Sequence, residues 1–348
     1  MLKFFFFLSS GLFLGWSLGA NDAANIFGTA VTTKMVKFKT AAIICSIFVI
    51  VGAVVSGAGA SHTLGKLGAI NEIGGAFIVT LSAAITVLWM TKIGLPVSTS
   101  QAIVGAIIGW NFFSKTTINI NSLTQIVGTW IFSPILSAFF AFILFFFAKK
   151  IVEDYKIHLL RLDSFTRVGL LIVGAFGAYS LGANNIGNIM GVFINSVKFT
   201  DISIANLCQF SAVQQLFLLG GTAIAIGVFT YSKKVMLTVG GGIFKLSPIT
   251  ALVVVLASSM SLFIFASQGL HNFLHSIHLP AFPLVPVSSS QAVIGAVMGI
   301  SLAKGGRNMN FGKLGQISVG WIITPIAAAL LTYILLFFMQ NVFLQKVF

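Results

Sequence analysis

GANDAANIFG, residues 19–28, follows the apolar run LKFFFFLSSGLFLGWSLG of residues 2–19 and sets amides and a carboxylate into sequence that otherwise reads as an ordinary spanning helix. An ionised aspartate at membrane depth costs several kcal/mol unless it is paired, so Asp22 needs a partner. The stretch recurs 163 positions later as GANNIGNIMG, residues 182–191. A second motif recurs as well: PVSTSQAIVGA from Pro96 matches PVSSSQAVIGA from Pro286. Two motifs in the same order in each half indicate an internal duplication.

The rest of the composition agrees with a membrane reading. Over 348 residues, 57% are hydrophobic and 7% charged, with a mean hydropathy of +1.03, beyond what a water-soluble core absorbs. Apolar runs of spanning length, about 20 residues, begin near Leu2, Thr40, Ala76, Ile126, Val168, Ile202, Ala251 and Ile317. They are continuous rather than alternating, which selects helices over barrel strands. The expected class is an all-α integral membrane protein of the cell membrane, multi-pass, built from two internal repeats with broken helices and re-entrant hairpins.

The net charge of +14 could point to nucleic acid, but the basic residues fall in short clusters between spans (Lys34 to Lys39, Lys149 to Arg167, Lys233 to Lys245, Lys304 to Lys313). They read as topology determinants and headgroup contacts, with no nucleic-acid partner. Cys45 and Cys208 lack metal or disulfide spacing and read as packing residues within spans. The N-terminus resembles a secretory signal, but cleavage there would detach the first half of the repeat, so it reads as retained.

The first repeat covers residues 1–150, a hydrophilic linker 151–167, and the second repeat 168–348. Residues 1–39 read as a helix broken near Gly19. The second repeat carries about 27 extra residues between its motifs, assigned to an insertion that includes residues 231–248. His271, His275 and His278 would share one face of a helix, a metal-site pattern that lacks an accompanying carboxylate or cysteine; a membrane-surface cluster explains them as well.

Duplicated halves with Gly- or Pro-interrupted segments are the usual pointer to a carrier whose substrate sits at the repeat interface. In the PVS segments a proline fixes the approach, Ser98, Thr99 and Ser100 (or Ser288, Ser289 and Ser290) offer hydroxyls and cap oxygens, and a helix follows, with Gln101 or Gln291 in its first turn. Helix N-termini of this kind attract anions, and two facing each other would hold a tetrahedral oxyanion with no Arg or Lys in the motifs. The GAN segments offer hard oxygen ligands for a cation: Asp22, Asn21, Asn25, Asn184, Asn185 and Asn188, with a sodium site expected at Asp22, Asn25, Asn185 and Asn188. An anion beside Asp22 is strongly repelled at low dielectric, so a cation or proton must enter with it, which argues for symport. Close helix packing by small residues and amides accounts for single positions but not for four interruptions in duplicate plus a buried Asp.

GANDAAN, GANNIGN, PVSTSQ, PVSSSQ and KKVMLTVGGGIFKLSP (residues 233–248) together resemble the inorganic phosphate transporter family, PiT, a group of phosphate and sulfate permeases. The resemblance runs over almost the whole chain. It implies uptake of inorganic phosphate coupled to sodium ions or protons without other cofactors, an inverted two-repeat architecture with re-entrant hairpins, and a homodimer. By motif, Asp22 and Asn25, Asn185 and Asn188, and the serine and threonine hydroxyls match the family's signatures. Three positions depart: Asn185 stands where the family usually has Asp, Gln101 and Gln291 where His is frequent, and Val49 where many members have Glu. One fewer carboxylate leaves the number of coupled cations open.

Two rival functions differ in class or substrate. Intramembrane aspartyl cleavage needs two carboxylates, and a serine nucleophile needs a base; the motifs supply neither. A sulfate permease on the same scaffold is closer. Phosphate near neutral pH carries protons that can be donated to a carboxylate, whereas sulfate carries none.

Overall fold

The computed structural model describes residues 2–68, 70–93, 97–154, 158–196, 199–204, 208–238, 246–306 and 311–348. Its helices are α1 (Leu2–Thr32), α2 (Phe38–Ser56), α3 (Ala58–Leu67), α4 (Ile73–Lys92), α5 (Thr99–Ser114), α6 (Ile120–Asp154), α7 (Leu159–Met190), α8 (Ala212–Thr230), α9 (Ser232–Thr238), α10 (Pro248–Ala266), α11 (Gln268–Ser276), α12 (Ser289–Ala303) and α13 (Phe311–Asn341). A 3-10 turn, Gly191–Ser196, follows α7, and a short antiparallel hairpin joins β1 (Ile202–Ile204) to β2 (Cys208–Phe210).

Eight of these helices, α1, α2, α4, α6, α7, α8, α10 and α13, are long and apolar enough to cross a bilayer. Six begin close to the expected positions, and the fifth starts earlier, at Leu159 rather than near Val168, within the stretch read as linker. The sixth does not: Ile202–Ile204 pairs with Cys208–Phe210, and the span starts at Ala212, where Ser211 and Gln214 make a capping box. The capping chemistry outweighs the apolar character of residues 202–210. Cys208 therefore sits in a strand rather than in a span, whereas Cys45 is buried in α2.

The helices pack in reciprocal pairs. α1 lies against α8 and α4, and α7 against α2 and α10; α5 lies against α13, and α12 against α6. Corresponding residues make corresponding contacts with the halves exchanged. A side chain on Gly19 would overlap the Ile224 carbonyl and one on Gly182 the Val49 carbonyl, while Gly105 abuts Pro325 and Gly295 abuts Pro134. Glycine is required at these positions for backbone approach. Pro134 and Pro325, which end the matching segments WIFSP (residues 130–134) and WIITP (residues 321–325), lie inside α6 and α13 at the points where these helices receive the glycines.

Two expectations need correcting here. The helix does not break near Gly19: α1 runs unbroken through residues 19–28, and α7 passes through the second motif before turning 3-10 at Gly191. The small residues serve helix contact and need not leave the right-handed helical region. The extra residues of the second half are not at 231–248 either. Gly52 meets the Tyr179 carbonyl as Gly227 meets that of Trp16, so the halves are in register through α2 and α8. The additions lie at the β1–β2 hairpin, before α8, and at α11 with the extended residues that lead to the second PVS motif, after α10.

The linker is mostly helical. α6 continues to Asp154 and α7 begins at Leu159, with exposed pairs Lys149–Glu153 at 3.7 Å and Arg167–Asp163 at 3.1 Å. Such solvated pairs contribute little to stability. Large exposed side chains along α6 and α13, including Phe132, Phe139, Phe146, Ile326 and Phe337, give the bundle an apolar outer surface.

Candidate functional site

The two PVS segments meet. Ser98 caps α5 and Ser288 caps α12, each hydroxyl accepting from the backbone N–H three residues on, of Gln101 and of Gln291, at 3.2 Å. The next hydroxyls cross between the repeats: Ser100 Oγ donates to the Val287 carbonyl at 3.0 Å, and Ser290 Oγ to the Val97 carbonyl at 2.7 Å. This crossed clasp sets the N-termini of α5 and α12 against each other. The N–H groups of Thr99, Ser100, Ser289 and Ser290 have no intrahelical acceptor in a first turn. Pro96 lies outside the described residues, as do residues 239–245 of the family-like stretch at 233–248.

The GAN helices bring the remaining residues to the clasp. On α1, Asp22 and Asn25 are three positions apart and share a face. Ser289 Oγ donates to Asp22 Oδ2 at 2.7 Å, Asn21 Nδ2 donates to Asp22 Oδ1 at 2.9 Å, and Asn25 Nδ2 approaches the Ser289 and Ser290 hydroxyls at 3.3 and 3.4 Å. On α7, Asn188 Nδ2 donates to Ser100 Oγ at 2.8 Å and to Asn185 Oδ1 at 2.9 Å, and Asn185 Nδ2 donates to the Leu181 carbonyl at 3.2 Å. Asn184 turns elsewhere. Its Oδ1 accepts from Val287 N–H at 3.0 Å and its Nδ2 reaches the Leu262 and Val285 carbonyls at 3.5 Å, so it pins the extended chain that leads into α12.

All these side chains are buried except Asn25, which is partly exposed. Thr99 Oγ1, Gln101 Oε1, Gln291 Oε1 and Asn188 Oδ1 are buried with no hydrogen-bond partner in the protein. Buried polar atoms are nearly always bonded; these four unpartnered oxygens lie close to the clasp, while ten more such atoms lie elsewhere among the described residues. Sequence reasoning named the side chains but missed the Val97 and Val287 carbonyls, because a backbone acceptor leaves no trace in residue type.

The histidines do not form a site. α11 ends at Ser276, and His278 beyond it has a left-handed backbone with φ 57°, so it shares no helical face with His271. His271 Nδ1 instead pairs with the Phe282 carbonyl at 2.8 Å. Among the described residues, no three His, Cys, Asp or Glu side chains gather to hold a metal ion. Two grooves, of about 730 Å3 between α1, α4 and α13 and about 480 Å3 between α5 and α13, have largely apolar linings and contain none of the candidate site side chains.

Eight apolar helices around a buried carboxylate, with two half-length helices meeting inside the bundle, define a multi-pass membrane transporter. A profile described as "Phosphate transporter family" matches residues 18–271 and 279–347. The chain belongs to the phosphate transporter family. A Methanocaldococcus jannaschii protein named "Putative phosphate permease" is 27% identical, with 93% of each chain covered. The Bacillus subtilis protein named "Sulfate permease CysP" is 28% identical over 93% of this chain and 84% of its own. A solved structure described as "The sodium-dependent phosphate transporter" superposes with a TM-score of 0.72 at 21% identity, covering 97% of this chain and all of the other, which establishes the shared fold. Membership of a transporter family sets aside the intramembrane enzyme.

Proposed function

We propose that this protein carries inorganic phosphate across the cell membrane by symport with sodium ions or protons, through an inverted pair of repeats whose half-helices α5 and α12 are re-entrant. One observation carries the reading: Ser289, in the first turn of α12, donates its hydroxyl to Asp22. An anion-attracting helix terminus and a buried carboxylate thus share one hydrogen bond, and loading the anion there without a cation is electrostatically prohibitive. The anion lies between the first turns of α5 and α12, where the backbone N–H groups of Thr99, Ser100, Ser289 and Ser290, the hydroxyls of Ser98, Thr99 and Ser288 and the amides of Gln101 and Gln291 supply donors, the hydroxyl protons of Ser100, Ser289 and Ser290 being already committed. The cation lies at Asp22 with amide oxygens nearby. Sodium is the first cation to test, because the structural relative is named for its sodium dependence.

At 16 and 15 residues, α5 and α12 are about 24 and about 22 Å long, short of a hydrocarbon core of about 30 Å, which supports re-entry rather than crossing. The exchange of contacts between the halves is the pattern a two-fold axis generates, and it supports the repeat reading. Assembly as a homodimer belongs to the same reading and is checked by cross-linking in membranes.

A sulfate permease is the second reading, favoured by the Bacillus subtilis relative. Uptake of radiolabelled phosphate and sulfate by the purified protein in liposomes, with sodium and proton gradients set independently, separates the two. Phosphate uptake driven by either gradient supports symport. Sulfate uptake that phosphate does not compete with overturns the phosphate reading.

A further inference from the structure

Resting on the symport reading, we infer that the two halves of the site are unequal: Asp22 with Ser289 holds the one coupling cation, and Asn185 with Thr99 forms a neutral set turned to a protonated oxyanion.

The internal repeat supplies the comparison. It matches Asp22 to Asn185, Asn25 to Asn188, Ser289 to Thr99, Ser290 to Ser100 and Val97 to Val287. The hydroxyl-to-carbonyl clasp occurs twice, and an asparagine approaches a clasp serine twice, at 2.8 Å from Asn188 and 3.4 Å from Asn25. The remaining relationship occurs once. Ser289 donates to Asp22 at 2.7 Å, while its counterpart Thr99 has a buried hydroxyl with no protein partner.

Asn185 accounts for the difference. Its Oδ1 accepts from Asn188 Nδ2 at 2.9 Å and its Nδ2 donates to Leu181. An alkali cation needs oxygen lone pairs directed at it. Here the Asn185 oxygen already faces an N–H, the free oxygens left are the neutral Thr99 hydroxyl and Asn188 Oδ1, and no carboxylate charge offsets the cost of dehydrating the ion. Left over in this half are the Thr99 hydroxyl, which can donate, and Asn188 Oδ1, which can only accept. An oxyanion that carries both bare and protonated oxygens satisfies the two together. Phosphate near neutral pH does so and sulfate does not.

Two measurements on the reconstituted protein test this. In the wild type, the reversal potential of phosphate flux gives the cation-to-anion ratio, expected to be one cation fewer than for Asn185→Asp. The dependence of phosphate uptake on cation concentration should have a Hill coefficient of about one in the wild type and rise toward two in Asn185→Asp. There the new carboxylate meets the Thr99 hydroxyl as Asp22 meets Ser289. Adding Thr99→Val to Asn185→Asp should weaken the second cation's binding about tenfold. Wild-type flux that needs two or more cations per phosphate overturns the inference, and it does so even if Asn185→Asp fails to insert. An unchanged cation order in an inserted, transporting Asn185→Asp overturns it as well. Wild-type phosphate flux indifferent to every cation gradient overturns the symport reading itself, a different result from either.

Discussion

Ser289 and Asp22 lie 267 positions apart in sequence and are joined by a 2.7 Å hydrogen bond in the buried centre of the protein. The contact couples the first turn of a half-helix in one repeat to the carboxylate of the other. A movement of α12 that breaks it leaves a buried carboxylate with one donor fewer, which is costly; on the symport reading a cation takes over that role.

Replacing the carboxylate tests that relationship directly. Asp22→Asn keeps size and hydrogen bonding but removes the charge, and a neutral amide is easier to bury. The variant should insert normally, with phosphate uptake reduced at least about tenfold, equivalent to ~1.4 kcal/mol, or freed of its cation dependence. Uptake measured against sodium concentration and pH in both proteins decides it. Unchanged transport with unchanged cation dependence would make Asp22 a packing element.

Ser289 and Thr99 occupy equivalent positions but should respond differently. Ser289→Ala removes a hydrogen bond to an ionised group, worth about 1.5–3 kcal/mol, and is expected to lower thermal stability in detergent and weaken the cation's effect on uptake. Thr99→Val removes a hydroxyl that bonds nothing in the protein. It should leave the melting temperature within about a degree or two and raise the phosphate KM. Equal losses of stability would contradict the asymmetry.

At Gly19 a Cβ would overlap the Ile224 carbonyl, and at Gly182 that of Val49. Gly19→Leu or Gly182→Leu must push α1 from α8 or α7 from α2, at a cost of about 1–3 kcal/mol or more. Lower yields of folded protein and earlier melting are expected. Gly128→Ala is the control: nothing lies within 4 Å of its Cβ position, and alanine favours a helix by up to about 1 kcal/mol over glycine.

Trp110 ties the chain beyond α13 to α5. Its Nε1–H donates to the Val347 carbonyl at 2.8 Å, both residues are buried, and Phe348 packs edge-on against Phe113. Trp110→Phe leaves that carbonyl unpaired and should cost about 1–3 kcal/mol, visible as a lower melting temperature. Release of residues 343–348 to limited proteolysis should accompany it.

The residue pattern made the membrane class, the recurrence of two motifs and the side chains that meet at the clasp legible, because each depends on residue type at a recurring interval. Long uncharged runs have no stable state but a spanning helix, and two motifs recurring in order are visible without any contact being known. The capping serines were legible for the same reason: Ser98 and Ser288 stand immediately before the helices they cap. Where local pattern competed with packing, the sequence misled. Gly19 looks like a helix break, yet α1 passes through it, because the glycine answers to a carbonyl on α8 that no local reading contains. Residues 202–210 look apolar enough to begin a span, yet Ile202–Ile204 pairs with Cys208–Phe210 as strands before the cap at Ser211.

The sequence by itself determined that this protein lives in a membrane, that two motifs recur in the same order along it, and that one copy of the GAN motif carries a carboxylate where the other carries an amide. Only the tertiary structure decided which residues meet. It crossed Ser100 to Val287 and Ser290 to Val97, placed Ser289 rather than Ser288 on Asp22, and turned Asn184 away to hold the backbone. The physical reason is range. Composition and periodicity act within a few turns of helix, whereas these hydrogen bonds close distances of one hundred to nearly three hundred residues, fixed by how glycine faces let the helices of one repeat approach those of the other.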